Sequence, residues 1–239
     1  MFGYRGKYIR VNLSTGEIDI EPLDDALFRK YIGGVGIAAK FIHDETTPET
    51  GPLSPENVLA SFTGPFTGTR IPSSSRNHVV ALSPQTGIFG EANVGGSWGV
   101  QLKRSGFDGV VITGKSATPV YLWISDEKVE LRDASPIWGQ DAFDAAEWLR
   151  GETDKRATSA VIGQAGENQV RYASIPHVGK IVRSAGRTGM GAVMGSKNLK
   201  AMVAYGTMPL LLADEDALNA SVKSLVPHVR DATDDFRRY

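Results

Sequence analysis

The sequence predicts an α+β fold, arranged as a duplicated domain of two related β-sheets with short helices. Three observations lead to it. Short apolar segments bounded by turn residues recur along most of the 239 residues, helical periodicity is confined to a few stretches, and one segment of chain resembles another in its pattern of glycine and apolar residues.

Taken in order, Lys7 to Asn12 alternates in part, reaches the turn tetrad Ser14, Thr15, Gly16 and Glu17, and resumes at Ile18 to Ile20, which predicts a hairpin. Asp24 or Asp25 can cap a helix through Leu27, Tyr31 and Ile32, because a short carboxylate satisfies amides that the first helical turn leaves free. After the break at Gly33 and Gly34, a second helical face runs from Ile37 to Ile42, and Pro48, Pro52 and Pro55 mark an irregular connection. Strands are predicted at Val58 to Phe62, Val79 to Leu82, Val110 to Ile112, Val120 to Ile124, Val129 to Leu131, Ala160 to Ile162 and Met202 to Ala204.

The internal similarity lays Gly99 to Gly114 on Gly191 to Gly206. Each stretch starts at a glycine, passes through a short helix and ends in an apolar strand and a glycine. Upstream, Val58 to Gly64 resembles Thr158 to Gly163, again a strand ending in glycine. Duplication would bring a glycine-rich loop from each half to one surface. Chance similarity between glycine-bounded strands stays open as an alternative.

Ala213 to Arg238 has a different texture, with Asp214 and Glu215 at its start and Leu218, Val222, Leu225, Val226, Val229 and Phe236 spaced along a helical face that Pro227 interrupts. The expected organisation is a domain over residues 1–210 and the truncated start of a following helical domain over 211–239.

With 41% hydrophobic and 22% charged residues, the chain can bury a sizeable core. Its formal charge of -1, from 26 basic and 27 acidic side chains, provides no surplus for coating nucleic acid or an anionic membrane, so any phosphate recognition must be local. No apolar run has the length of a membrane span, and the opening residues Tyr4, Arg5 and Lys7 do not form a signal peptide, so the expected compartment is the cytoplasm. With no cysteine, no disulfide, thiolate zinc site or iron–sulfur cluster can be ligated by these residues.

The densest glycine and arginine segment runs from Arg183 to Gly191, preceded by Gly179 and Lys180. Glycines let main-chain amides approach a phosphate, and guanidinium groups hold its oxygens two at a time. The segment lacks the lysine and hydroxyl ending of a Walker A loop and the dinucleotide-binding spacing; a glycine-rich turn beside surface arginines is the bland alternative. A second segment, Glu91 to Gly99, sets Asn93 before closely spaced glycines, where its amide can offer an oxygen to a hard cation or bond a heterocycle, or simply close a turn. A third, Thr67 to His78, places hydroxyls with Arg70 and Arg76 in one loop. Three such loops in a nearly neutral chain suggest a large anionic ligand. His43, His78, His177 and His228 show no metal-ligand spacing and read as ordinary residues, the tryptophans read as core or contact residues, and no acidic pair stands out as a glycosidase couple.

Several motifs together carry a family resemblance: Tyr8 to Gly16, Pro52 to Asn57, Gly64 to Thr69, Asn93 to Gly96, Ile162 to Asn168 and Gly191 to Lys200. In this order, over roughly residues 3–207, the chain resembles the amino-terminal domain of the tungsten-containing aldehyde:ferredoxin oxidoreductases. The resemblance implies two related sheets forming a base beneath a bis-pyranopterin tungsten (or molybdenum) cofactor, with magnesium joining the pterin phosphates. By position it implies cofactor contacts at Arg76, Asn93, Gly95, Arg183, Ser184, Gly186 and Arg187, and magnesium at Asn93 and the main chain of Ser184. Ser184 stands where the archaeal enzymes carry alanine and Thr188 where they carry glycine. The first change spares a backbone contact; the second puts close approach of the pterin in doubt.

The same resemblance implies oxidation of aldehydes to carboxylic acids, with ferredoxin or a ferredoxin-like subunit as electron acceptor. The 4Fe-4S cluster and the acid/base residues belong to later domains, which makes this chain an incomplete enzyme. A homo-oligomer is among the expectations, whereas nucleic acid and membrane insertion are not. Two rival readings remain: a benzoyl-coenzyme A reductase-like subunit on the same cradle, and a non-enzymatic pterin- or phosphate-binding module.

Overall fold

The computed structural model describes residues 1–236. The first half runs β1 (Lys7–Asn12), β2 (Glu17–Pro22), α1 (Asp25–Tyr31), α2 (Val35–Glu45), β3 (Leu59–Thr63), β4 (Asn77–Leu82), β5 (Phe89–Val94), α3 (Trp98–Arg104) and β6 (Gly109–Thr113). The second runs β7 (Val120–Ser125), β8 (Lys128–Asp133), α4 (Ala142–Glu152), β9 (Thr158–Val161), α5 (Gln164–Glu167), β10 (Ile175–Val178), β11 (Arg183–Ala185), α6 (Met190–Ser196) and β12 (Leu199–Tyr205). A final helix, α7, spans Glu215–Phe236.

Each half closes one six-stranded sheet, and the two share a topology. The orders are β2-β1-β6-β3-β4-β5 and β8-β7-β12-β9-β10-β11. In each, the first-listed strands form a hairpin, one pair is parallel (β1 with β6, β7 with β12), and every other pair is antiparallel. Gly99 and Gly191, the glycines aligned in the sequence, are the second residues of α3 and α6. The internal similarity is therefore the trace of a structural duplication, and the chance alternative falls away.

Strand alternation builds the layers. On β1, Ile9 and Val11 face the central core while Tyr8 faces outward; on β7, Leu122 and Ile124 face inward while Tyr121 and Trp123 face outward. The two inner faces meet in one central cluster that also takes in Trp98 and Leu102 of α3 and Met190, Val193 and Met194 of α6. The outer face of the first sheet is covered by α1 and α2 through Phe28, Ile37, Ala38 and Ile42, and that of the second by α4 through Ala142, Ala145, Ala146 and Leu149. The layers are thus helix, sheet, paired helices, sheet, helix. The paired helices cross-link the halves: α3 packs on β9 and β12 of the second sheet, and Trp98 Nε1 donates to the Met202 carbonyl at 2.8 Å.

The expected hairpin and helices stand where predicted, with the Asp24 carboxylate accepting from Leu27 N at 2.6 Å. Five elements were not expected, one of them the single-turn helix α5. Helix α4 is capped by Asp141, which accepts from Phe143 N and Asp144 N, but alanines make up most of its buried stripe. Strand β10 carries Pro176 and His177, β11 carries Arg183 and Ser184, and β5 buries only Gly90, Ala92 and Val94. None of these has the run of large apolar residues by which the other strands are recognised. Pro227, expected to interrupt the last helix, lies inside a continuous α7 whose described side chains are largely exposed, so the carbonyl deprived of a donor can bond water.

Candidate anion-binding cradle between the sheets

Strand β5 is the edge of the first sheet, β11 is the edge of the second, and the two edges approach one another. The segments read from sequence as glycine loops are thus strand ends leading into short loops and then into α3 and α6. Asn93 and Ser184 hold equivalent places, each next to last in its strand and paired with the second residue of the preceding one, His78 and Pro176. Their neighbours Val94 and Ala185 are buried in the central core, which turns Asn93 and Ser184 outward to solvent.

Between the two edges lies an open cleft of about 470 Å³ lined by Glu91, Ala92, Asn93, Ser184, Gly186 and Arg187. Arg76 and Gly95 adjoin it: the Arg76 guanidinium bonds Asn93 and lies 3.8 Å from where a Cβ on Gly95 would stand. Arg183 borders the same region, its Cβ 3.7 Å from the equivalent point on Gly96. All seven residues expected at the site therefore converge on one seam. Arg70 does not; it lines a separate cleft with Arg104 and Leu210.

Arg76, Arg183 and Arg187 are exposed, and among the described residues none forms a salt bridge. Arg183 only donates to the neighbouring Val182 carbonyl at 2.8 Å. Fixed positive charges gathered without carboxylate partners favour an anion, and Gly186 leaves the floor open to close approach. Among the described residues no cluster of three or more His, Cys, Asp or Glu can hold a metal ion. A cation at this seam would be bound by ligand oxygens together with amide or main-chain oxygens.

Thr188 keeps a left-handed backbone, φ 60°, of the kind a glycine adopts freely, and its carbonyl accepts from Ser83 Oγ at 2.8 Å. The turn into α6 is therefore held in that shape despite the β-branched side chain. The next residue must be glycine: Gly189 has φ 76°, and a Cβ there would lie 1.9 Å from the Arg171 carbonyl oxygen.

Two residues that the sequence did not single out also belong here. Glu91 Oε1 lies 2.7 Å from His78 Nδ1, and His78 Nε2 lies 3.3 Å from Asn93 Nδ2, whose Oδ1 accepts from Arg76 Nη1 at 3.1 Å. The signal for Glu91 was strand alternation, which puts it on the same face as Asn93; His78 becomes visible only through the register of β4 on β5.

The family described as "Aldehyde ferredoxin oxidoreductase, N-terminal domain" matches residues 8–206. The chain is 44% identical over 232 residues to the tungsten-containing aldehyde ferredoxin oxidoreductase of Pyrococcus furiosus, an alignment covering 97% of this chain and 38% of the relative. To the aliphatic sulfonate oxidoreductase, WOR-like subunit, of the same organism it is 35% identical, with 88% and 36% covered. Among solved structures it is similar to the active site complex BamBC of benzoyl coenzyme A reductase in complex with 1,5 dienoyl-CoA, with a TM-score of 0.92, 38% identity, and coverage of 96% of this chain and 35% of that one. The chain thus spans under two-fifths of the length of these proteins. It belongs to the aldehyde ferredoxin oxidoreductase family, whose N-terminal domain it carries.

Proposed function

We propose that this domain is the cradle of a bis-pyranopterin tungsten or molybdenum cofactor within a longer chain that oxidises aldehydes to carboxylic acids and passes electrons to ferredoxin. The observation that carries the reading is the seam itself: two equivalent strand ends, one from each half of a duplicated fold, meet beside three guanidinium groups that have no carboxylate partner among the described residues. A ligand made of two equivalent anionic halves suits such a surface.

In this reading Arg76, Arg183 and Arg187 would neutralise phosphate charge, Gly95 and Gly186 would admit the ligand to the main chain, and Asn93 and the main chain of Ser184 would help to hold a magnesium ion. When bound, the metal and its pterins supply the redox chemistry, and the protein supplies anchoring and orientation. Residues 1–210 are read as the cradle and 211–239 as the opening of a following helical domain, of which 237–239 lie outside the described residues. A 4Fe-4S cluster would need ligands outside these residues, which include no cysteine. The expected setting is cytoplasmic; no described helix is long and apolar enough to cross a membrane.

A benzoyl-coenzyme A reductase-like role is the second reading, favoured by the likeness to BamBC. The test is anaerobic purification of the full-length protein, with tungsten, molybdenum, iron and magnesium measured per chain by elemental mass spectrometry. Tungsten or molybdenum with about four irons supports the cradle; a full-length chain with neither metal overturns it. Aldehyde oxidation assayed beside reduction of an aryl-coenzyme A thioester then separates the two readings.

A further inference from the structure

We propose that His78 and Glu91 are positioning residues of the cradle: through Asn93 they lock the Arg76 guanidinium in the orientation in which it meets an anionic ligand. The inference rests on the cofactor reading above and extends it to two residues whose side chains need not touch the ligand.

The hydrogen-bond donors fix the chain in one direction. A guanidinium only donates, so the Asn93 atom 3.1 Å from Arg76 Nη1 must be the amide oxygen. The Asn93 amino group then faces His78 Nε2 at 3.3 Å, and that nitrogen must accept. The proton of a neutral ring therefore sits on Nδ1 and is donated to Glu91 Oε1 at 2.7 Å. Each link determines the next, from a carboxylate at one end to a guanidinium at the other.

Reversal of any link is unfavourable. A flipped Asn93 would turn its amino group toward the guanidinium, donor against donor, and would require the other tautomer of His78. Glu91 holds the existing tautomer. The ring has little freedom to escape, because His78 is half-buried and lies flush with the start of α2, where a Cβ on Gly34 would stand 2.7 Å from its Cδ2. With one Nη1 proton given to Asn93, the other guanidinium N–H groups of Arg76 are free to face an anion in a fixed plane.

The experiment compares metal content per full-length chain, purified anaerobically, in matched polar and apolar variants. His78→Gln can place Oε1 where Nε2 stood and accept from Asn93, and Glu91→Gln still accepts from Nδ1. His78→Leu and Glu91→Leu break the chain while conserving bulk. The leucine variants are expected to lose cofactor affinity on the order of tenfold or more, as for other residues that orient a ligating group, while the glutamine variants stay loaded. Thermal melts of the same preparations identify any variant that fails to fold. If His78→Leu does so, Glu91→Leu, at the more exposed end of the chain, carries the test. Leucine and glutamine variants loaded equally, whether full or empty, overturn the positioning role. A wild-type chain without tungsten or molybdenum overturns the cofactor reading, and this role with it.

Discussion

At Arg187 an exposed guanidinium without a carboxylate partner lines the cleft between the sheets. In the proposed cradle its charge-assisted bonds to a phosphate would be worth roughly 2 kcal/mol, so on that proposal Arg187→Ala is expected to lower the metal content of the full-length protein markedly while leaving its preference among substrates unchanged. Normal tungsten or molybdenum content in that variant would remove Arg187 from the site. His177 poses a different question. It is fully buried against the Trp98 ring at 5.4 Å, with no hydrogen-bond partner on either nitrogen, and burial pushes its pKa down to about 3. A depressed histidine favours folding of the neutral form. Its contribution is complete above about pH 6.5 and is lost at about 1.4 kcal/mol per pH unit as the pH falls toward 3. His177→Phe keeps the ring contact and removes both unpaired nitrogens, so acid unfolding followed by circular dichroism should move to lower pH. An unchanged or higher midpoint would mean that this histidine does not govern acid stability. Neither His78 nor His177 was legible as special, because what distinguishes each comes from tertiary contact rather than from sequence spacing: the register of β4 on β5 for His78, and burial against Trp98 of α3 for His177.

Among the elements, α5 and β12 are joined by a buried ion pair between Glu167 and Lys200, whose side chains are 5% and 0% exposed. Lys200 also donates to the Gln140 carbonyl at 2.9 Å and so ties in the loop that leads to α4. Removing one partner leaves a buried charge uncompensated: Lys200→Met should cost roughly 3–5 kcal/mol in urea unfolding, and Lys200→Met with Glu167→Leu should recover much of it. Equal losses in the single and double variants would show that packing, not charge, dominates there. Sequence reading found the strands whose both faces are buried, such as β3 and β6, through their apolar runs. It passed over β11 because this edge strand carries the polar Arg183 and Ser184, over the interior strand β10 because Pro176 and His177 interrupt its apolar residues, and over α4 because alanine gives weak apolar contrast.

Over the whole molecule, the central core belongs to neither half alone. Ile9, Val11 and Val79 of the first sheet share it with Leu122, Ile124 and Met202 of the second, and α3 and α6 lie between. Cutting the chain between β6 and β7 is therefore expected to yield two fragments that are unstructured separately and regain near-native circular dichroism when mixed. A fragment that folds cooperatively by itself would contradict the shared core. The glycine and apolar similarity of Gly99 to Gly114 with Gly191 to Gly206 was enough to expect two related sheets; the crossing of each helix onto both sheets left no pattern in sequence.

That shared core also sets the order of events during synthesis. The first sheet has all its strands once Thr113 has left the ribosome, yet part of the cover for its inner face is supplied by residues as late as Leu199, Met202 and Ala204. Until they emerge, Ile9, Val79 and Val110 remain on a wettable, adhesive face of the nascent chain. Translation beyond β12 is thus a precondition for collapse, and a chaperone that shields apolar sheet faces would act on this domain within that interval.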